Sequence, residues 1–116
     1  MSSNLENTQA QMRKGVLEFC ILSILSHTEV YPSDIIARLK DAKLIVVEGT
    51  LYPLLTRLKN AGLLTYRWEE SKSGPPRKYY SLTPLGEKFL DELRVTWREL
   101  VEAVNQTTSV KASTNE

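Results

Sequence analysis

Apolar residues recur with a helical period in four stretches of this chain and with a period of two in one. From about Gln9 to Ser26 the pattern is helical, and eight of the ten residues from Val16 to Leu25 are apolar. A one-sided surface helix shows a narrower stripe, so burial on more than one side is expected, the second against another subunit. Tyr31-Pro32-Ser33-Asp34 marks a boundary. Proline suits a first helical turn, and Ser33 or Asp34 complements its positive end. Ile35, Ile36 and Leu39 then form the stripe of a second helix ending near Ala42. Leu44 to Val47 reads as a short apolar linker or small strand.

A third helix is expected from Glu48–Thr50. Pro53 is placed at or just after its first turn, and Gly62 at its end. Leu51, Leu54, Leu55 and Leu58 follow the i, i+3, i+4, i+7 rule and form its core face. The opposite face carries Gly49, Pro53, Thr56 and Asn60, flanked by Thr50, Tyr52 and Arg57. Leu63 to Glu69 alternates, with Leu64, Tyr66 and Trp68 on one side. Ser71 to Pro76 is turn chemistry, and Lys78 to Leu82 returns, giving a hairpin with a longer loop. Thr83 and Pro84 open a last helix. Its Leu90, Leu93, Trp97, Leu100 and Val104 have the spacing of a two-helix seam, which Phe89 and Val101 widen.

The elements predict a mainly α fold with one small β-hairpin: a winged helix-turn-helix followed by a long C-terminal dimerisation helix. Residues 1–8 are expected to be flexible and 9–82 to form the winged unit. Residues 83–105 form the dimerisation helix, and the aperiodic 106–116 a disordered tail.

At 116 residues, with 41% apolar and 25% charged, the composition suits one soluble domain. No apolar run approaches the ~20 residues that cross a bilayer, so a cytoplasmic protein with no membrane partner is expected. Cys20 and His27 stand alone in type, so neither an intrachain disulfide nor a metal site is expected, and no cofactor. There is no nucleophile–base pair and no glycine-rich phosphate loop. The last helix interleaves its acids with Lys88, Arg94 and Arg98, as a solvated face does. An enzyme is therefore not expected.

The net charge of +1 conceals a division. Residues 11–82 hold eleven Lys/Arg against seven Asp/Glu, whereas residues 83–116 hold four against six. The cations concentrate in the winged unit. In such a unit the third helix enters the major groove of duplex DNA. Thr50, Thr56 and Asn60 can hydrogen-bond bases or phosphates, Arg57 can reach a guanine edge or a phosphate, and Tyr52 suits a phosphate oxygen. Lys72, Arg77 and Lys78 can reach the backbone beside the wing. Lys59 lies on the flank of this face. A dimer would space two such helices about 34–36 Å apart on a near-palindromic operator. The competing expectation is a winged-helix module that binds proteins without reading DNA.

Gly49-Thr50-Leu51-Tyr52-Pro53, Arg57-Leu58, Gly62-Leu63-Leu64, Gly74-Pro75-Pro76-Arg77-Lys78-Tyr79-Tyr80 and Leu82-Thr83 with Gly86 resemble the signature of PadR-like transcriptional regulators, over about residues 14–90. The single C-terminal helix is similar to the small subfamily. The resemblance implies a homodimeric winged-helix protein, a repressor in most members, whose last helix supplies the dimer contact. Two stretches depart from it: Val30-Tyr31-Pro32-Ser33-Asp34 replaces a His-Gly-Tyr start to the second helix, and Ile45-Val46-Val47-Glu48 replaces a more polar lead. Some members of that small subfamily bind planar aromatic compounds between paired tryptophans at the dimer centre, so the resemblance admits such an effector here. Trp97 matches that position, with Leu93, Val101, Leu17 and Ile21 as candidate lining. The alternative is that Trp97 fills the seam as an apolar residue. Leu17, Ile21, Leu90, Leu93, Trp97, Leu100, Val101 and Val104 are the candidate dimer residues.

Overall fold

The computed structural model describes residues 2–109. In chain order it contains α1 (Ser2–Leu25), α2 (Pro32–Asp41), α3 (Glu48–Asn60), β1 (Leu64–Ser71), β2 (Gly74–Leu82) and α4 (Pro84–Thr108). β1 and β2 pair antiparallel, in a register that sets Tyr66 opposite Tyr80 and Trp68 opposite Lys78. Val30 adds a bridge on the outer edge of β2, exchanging N–H···O bonds with Tyr80 at 3.1 and 2.9 Å. The order is that of a winged helix-turn-helix: α2 and α3 form the turn unit and the hairpin its wing.

One core joins the elements. Leu17, Ile21, Leu22 and Leu25 of α1 meet Ile35 and Leu39 of α2, Leu51, Leu55 and Leu58 of α3, Tyr80 of the wing and Leu90 of α4. Each such aliphatic side chain contributes about 1.5–3 kcal/mol on burial. The core face expected of α3 is thus present, with Leu54 partly buried beside it.

Two helix ends are set by left-handed residues. Gly62 has φ +82°. Its N–H donates to the Lys59 carbonyl at 2.9 Å, and the Leu63 N–H to the Leu58 carbonyl at 3.0 Å. These two hydrogen bonds satisfy carbonyls of the last turn of α3. Lys43, with φ +68°, closes α2 in the same way through Lys40 and Leu39, although its Cβ makes that conformation less favourable than it is for glycine.

The joint between α3 and α4 is tight. The Thr83 hydroxyl donates to the Gly62 carbonyl at 2.6 Å and accepts from the Gly86 N–H at 2.9 Å, capping α4. The first turn of α4 lies against the Leu63 backbone so closely that a Cβ on Gly86 would stand 2.1 Å from the Leu63 carbonyl oxygen. The long helix is thereby fixed relative to α3.

Several expectations are corrected. α1 is helical from Ser2, not from Gln9, where a flexible lead was expected. No proline or glycine precedes Gly15, and a helix nucleated by its buried half extends at little cost per residue. α4 runs to Thr108, past residue 105, with the Thr107 and Thr108 hydroxyls donating to the Ala103 and Val104 carbonyls. Residues 110–116 of the expected disordered tail lie outside the described residues, as does Met1. Leu44 to Val47 forms no strand. The expected longer loop is a turn of two residues, Lys72 and Ser73, because β2 begins at Gly74 and includes both prolines. Proline is tolerated there because Pro75 and Pro76 fall in the register break between the Glu69–Arg77 and Ser71–Gly74 pairs, where no ladder N–H is lost.

Candidate nucleic-acid interface

At 100° per residue, Leu51, Leu55 and Leu58 turn one side of α3 inward. The outward ridge is Gly49, Pro53, Thr56 and Asn60, all exposed. Pro53 is the sixth residue of α3, just after its first turn. It therefore cannot donate to the Gly49 carbonyl, which remains available to solvent on an exposed turn. The ridge is low and carries hydrogen-bonding groups at Thr56 and Asn60, so a groove floor can approach it.

The two flanks of α3 differ. Glu48, Tyr52 and Lys59 lie toward the wing. Tyr52 and Glu48 line a cleft of about 440 Å³ with Tyr31, Trp68, Arg77 and Lys78. Thr50 and Arg57 lie on the other flank, toward α1. There the Arg57 guanidinium is paired with the Glu18 carboxylate. Arg57 is thus on the edge of the recognition surface and already holds an anion. Of its two expected targets, a guanine edge or a phosphate, this flank position lies nearer the second, and the pairing with Glu18 was not expected.

The register sorts the wing into two faces. On one, Lys78 Nζ stands 4.4 Å from the Tyr66 ring centre and 5.2 Å from that of Trp68. Lys59 Nζ stands 5.5 Å from Tyr66, reaching across from α3. On the other, Tyr31 stacks on Tyr79 at 4.1 Å. Arg77 lies 4.8 Å over Tyr31, and Arg67 4.8 Å over Tyr79. These contacts are each worth about 0.5–1 kcal/mol at an exposed site, and they hold the cations in defined positions.

Charge on the wing is unevenly spent. Arg67 grips both oxygens of Glu29 at 2.9–3.1 Å and also pairs with Glu69. These bonds raise the Arg67 pKa, and the Arg67 hydrogen bond lowers that of the Glu29 carboxyl. The neighbouring Tyr31 hydroxyl raises the Tyr79 phenol. Arg67 is therefore committed to holding the wing to the α1–α2 turn. Lys59, Lys72, Arg77 and Lys78 have no carboxylate partner among the described residues.

Of the eight expected DNA-binding residues, Thr50, Tyr52, Thr56, Asn60, Lys72 and Arg77 are exposed on this side, Lys78 is half-buried against its rings, and Arg57 is held by Glu18. Tyr31, Trp68 and Glu18 belong to the surface without having been expected there. The alternation that put Trp68 on one strand face, carried across to Lys78, was the available signal for the second of these.

A second surface lies away from the wing. Trp97, Leu100 and Val104 of α4 are 41%, 49% and 48% exposed. With Val101, Met12, Val16 and Leu44 they line an apolar groove of about 420 Å³ that also meets Arg13. Phe19 lies 6.1 Å from Trp97, centre to centre. By contrast, Leu17, Ile21 and Leu90 are 7%, 0% and 1% exposed. The protomer's own core consumes them, so they have no surface for a partner or a ligand, a correction to their expected roles. Leu93 is half-buried against that core and lies outside the groove. The spacing of Met12, Val16 and Phe19, four then three, was the missed sign that α1 contributes its own apolar edge.

The family model described as the transcriptional regulator PadR-like family matches residues 21–92. The crystal structure of a PadR-like transcription factor from Bacteroides fragilis is 62% identical, with a TM-score of 0.74 over 88% of this chain and 99% of that one. That of a PadR family regulator from Eggerthella lenta is 30% identical, with a TM-score of 0.86 over 94% and 96%. Bacillus subtilis PadR in complex with operator DNA is 26% identical, with a TM-score of 0.64 over 69% of this chain and 47% of that one.

Proposed function

The chain belongs to the transcriptional regulator PadR-like family, and from that premise we propose that it is a homodimeric, sequence-specific DNA-binding repressor acting on a near-palindromic operator. One observation carries this: the exposed ridge of Gly49, Pro53, Thr56 and Asn60 stands beside wing cations that lack carboxylate partners among the described residues. Thr56 and Asn60 read base edges in the major groove, and Thr50 and Tyr52 steady the helix on the backbone. Lys72, Arg77 and Lys78 neutralise phosphates beside the wing. The operator complex of Bacillus subtilis PadR supports the same use of the fold here. A repressor of this kind works in the cytoplasm, where its DNA lies. A purely protein-binding module has no need of unpaired cations flanking a low polar ridge.

Each phosphate contact displaces counterions, so affinity should fall steeply with salt. Arg77→Ala should weaken binding to all duplexes alike and flatten the log–log salt slope by about one. Asn60→Ala should instead cost about 1–3 kcal/mol at the base pair it reads. Fluorescence anisotropy on labelled duplexes from 50 to 300 mM salt measures both. A flat salt response of the wild type would defeat the proposal.

The α4 stripe of Trp97, Leu100, Val101 and Val104 is the dimer surface, joined by the exposed edge of α1. A planar aromatic effector fits beside Trp97 in the groove, where it would favour one spacing of the two recognition helices. In a Trp68→Phe background, Trp97 emission should be quenched on titration with members of a panel of planar aromatic compounds. Unchanged emission across the panel would leave Trp97 as seam packing.

A further inference from the structure

Glu18 sits on α1 between Leu17, which enters the core, and Phe19, which approaches Trp97. Its side chain is 29% exposed and that of its partner Arg57 63%. Among the described residues this is the ion pair that ties α3 to α1. Arg57 occupies the α1 flank of α3, one step off the ridge, where its reach is toward backbone phosphate more than toward base edges. A carboxylate and a phosphate present the same pair of oxygens to a guanidinium fork, so they compete for it. Glu18 thus occupies on the free protein the place that a phosphate would take.

We propose that Glu18 is a positioning residue of the DNA interface: it holds the Arg57 guanidinium in an ion pair that a backbone phosphate must displace. The inference rests on the DNA-binding reading. It adds that Arg57 gives nothing to a loosely docked, random duplex and engages only where the helix sits deep enough to bring a phosphate to it. Glu18 then raises the ratio of operator to random binding without touching DNA.

The test uses the full chain and a random-sequence duplex of about 30 base pairs. Glu18→Gln should tighten binding about two- to fivefold, the factor expected for opening a partly exposed ion pair. It should also steepen the log–log salt slope by about one, as Arg57 acquires a phosphate. In an Arg57→Ala background Glu18→Gln should have no such effect. Asp91→Asn, which removes the same charge from the pair with Arg94 on α4, controls for net charge. An equal gain in both Arg57 backgrounds, a gain matched by Asp91→Asn, or no gain would overturn the proposal. If Glu18→Gln does not fold by circular dichroism, Glu18→Asp takes its place: it keeps the charge but shortens the reach, and unchanged affinity would be the refuting result. A wild type that binds no duplex at low salt would remove the DNA reading itself. A binding wild type with an inert Glu18→Gln removes only this inference.

Discussion

Replacing Leu100 and Val104 together with aspartate is expected to yield a folded monomer with at least 100-fold weaker binding to a palindromic operator. Both side chains are about half exposed in the single chain and belong to the groove surface. The substitutions therefore remove no core contact, and helix content should be unchanged. In a dimer they would bury unpaired carboxylates, each costing several kcal/mol after relaxation. Two such groups per protomer exceed what an interface of ordinary size holds in reserve, since about 4 kcal/mol already changes affinity 1,000-fold. Operator binding follows because two half-sites are read as one ligand only while the recognition helices are linked. Sedimentation velocity and anisotropy on one duplex measure both effects. A variant that stays dimeric would show that the stripe faces something other than a second copy. A monomer with undiminished affinity would show that the two halves read DNA independently.

Gly86→Ala is expected to lower the melting temperature by on the order of 10 °C. In an unobstructed helix this substitution stabilises by about 1 kcal/mol, so propensity alone predicts a gain. Here the new Cβ would lie 2.1 Å from the Leu63 carbonyl oxygen and 3.0 Å from its carbon. The obstacle is backbone, which also holds the Thr83 N–H at 3.1 Å, so it cannot swing aside as a side chain would. Overpacking of this kind costs about 1–3 kcal/mol, and its rigid partner puts this case at the upper end. At this size each kcal/mol moves the melting temperature by about 4 °C. Gly15→Ala is the matched control: its Cβ would meet nothing within 4 Å, and it should stabilise by about 0.5–1 kcal/mol. Melting at one fixed protein concentration separates the two. Equal shifts of the same sign would mean that the α3–α4 joint is loose. Such a joint could not carry the geometry of α4 to the recognition helix.

The winged unit was legible because its parts announce themselves locally. Leu51, Leu55 and Leu58 mark the buried side of α3, and the ridge of Thr56 and Asn60 follows by subtraction. Gly62 and Thr83-Pro84 place the ends of α3 and α4 through backbone chemistry that depends on few neighbours. The hairpin's existence was equally plain, but its turn was not. Gly74-Pro75-Pro76 reads as loop, yet Gly74 pairs with Ser71, and the two prolines fall in the register break before Arg77, where the ladder asks for no N–H.

What the chain decides alone is which residues can be inside and where each helix must stop, since burial and capping depend on residue type and short spacing. Tertiary structure decides which of several equally apolar residues the core takes. With eight of ten residues apolar between Val16 and Leu25, periodicity could not tell Leu17 and Ile21, which point inward, from Val16, which lines the groove, and Phe19, which approaches Trp97. It decides as well that Arg57 meets Glu18, thirty-nine positions away, and that Arg67 meets Glu29. A charge's partner is set by the distance between folded elements, and no local pattern records that distance.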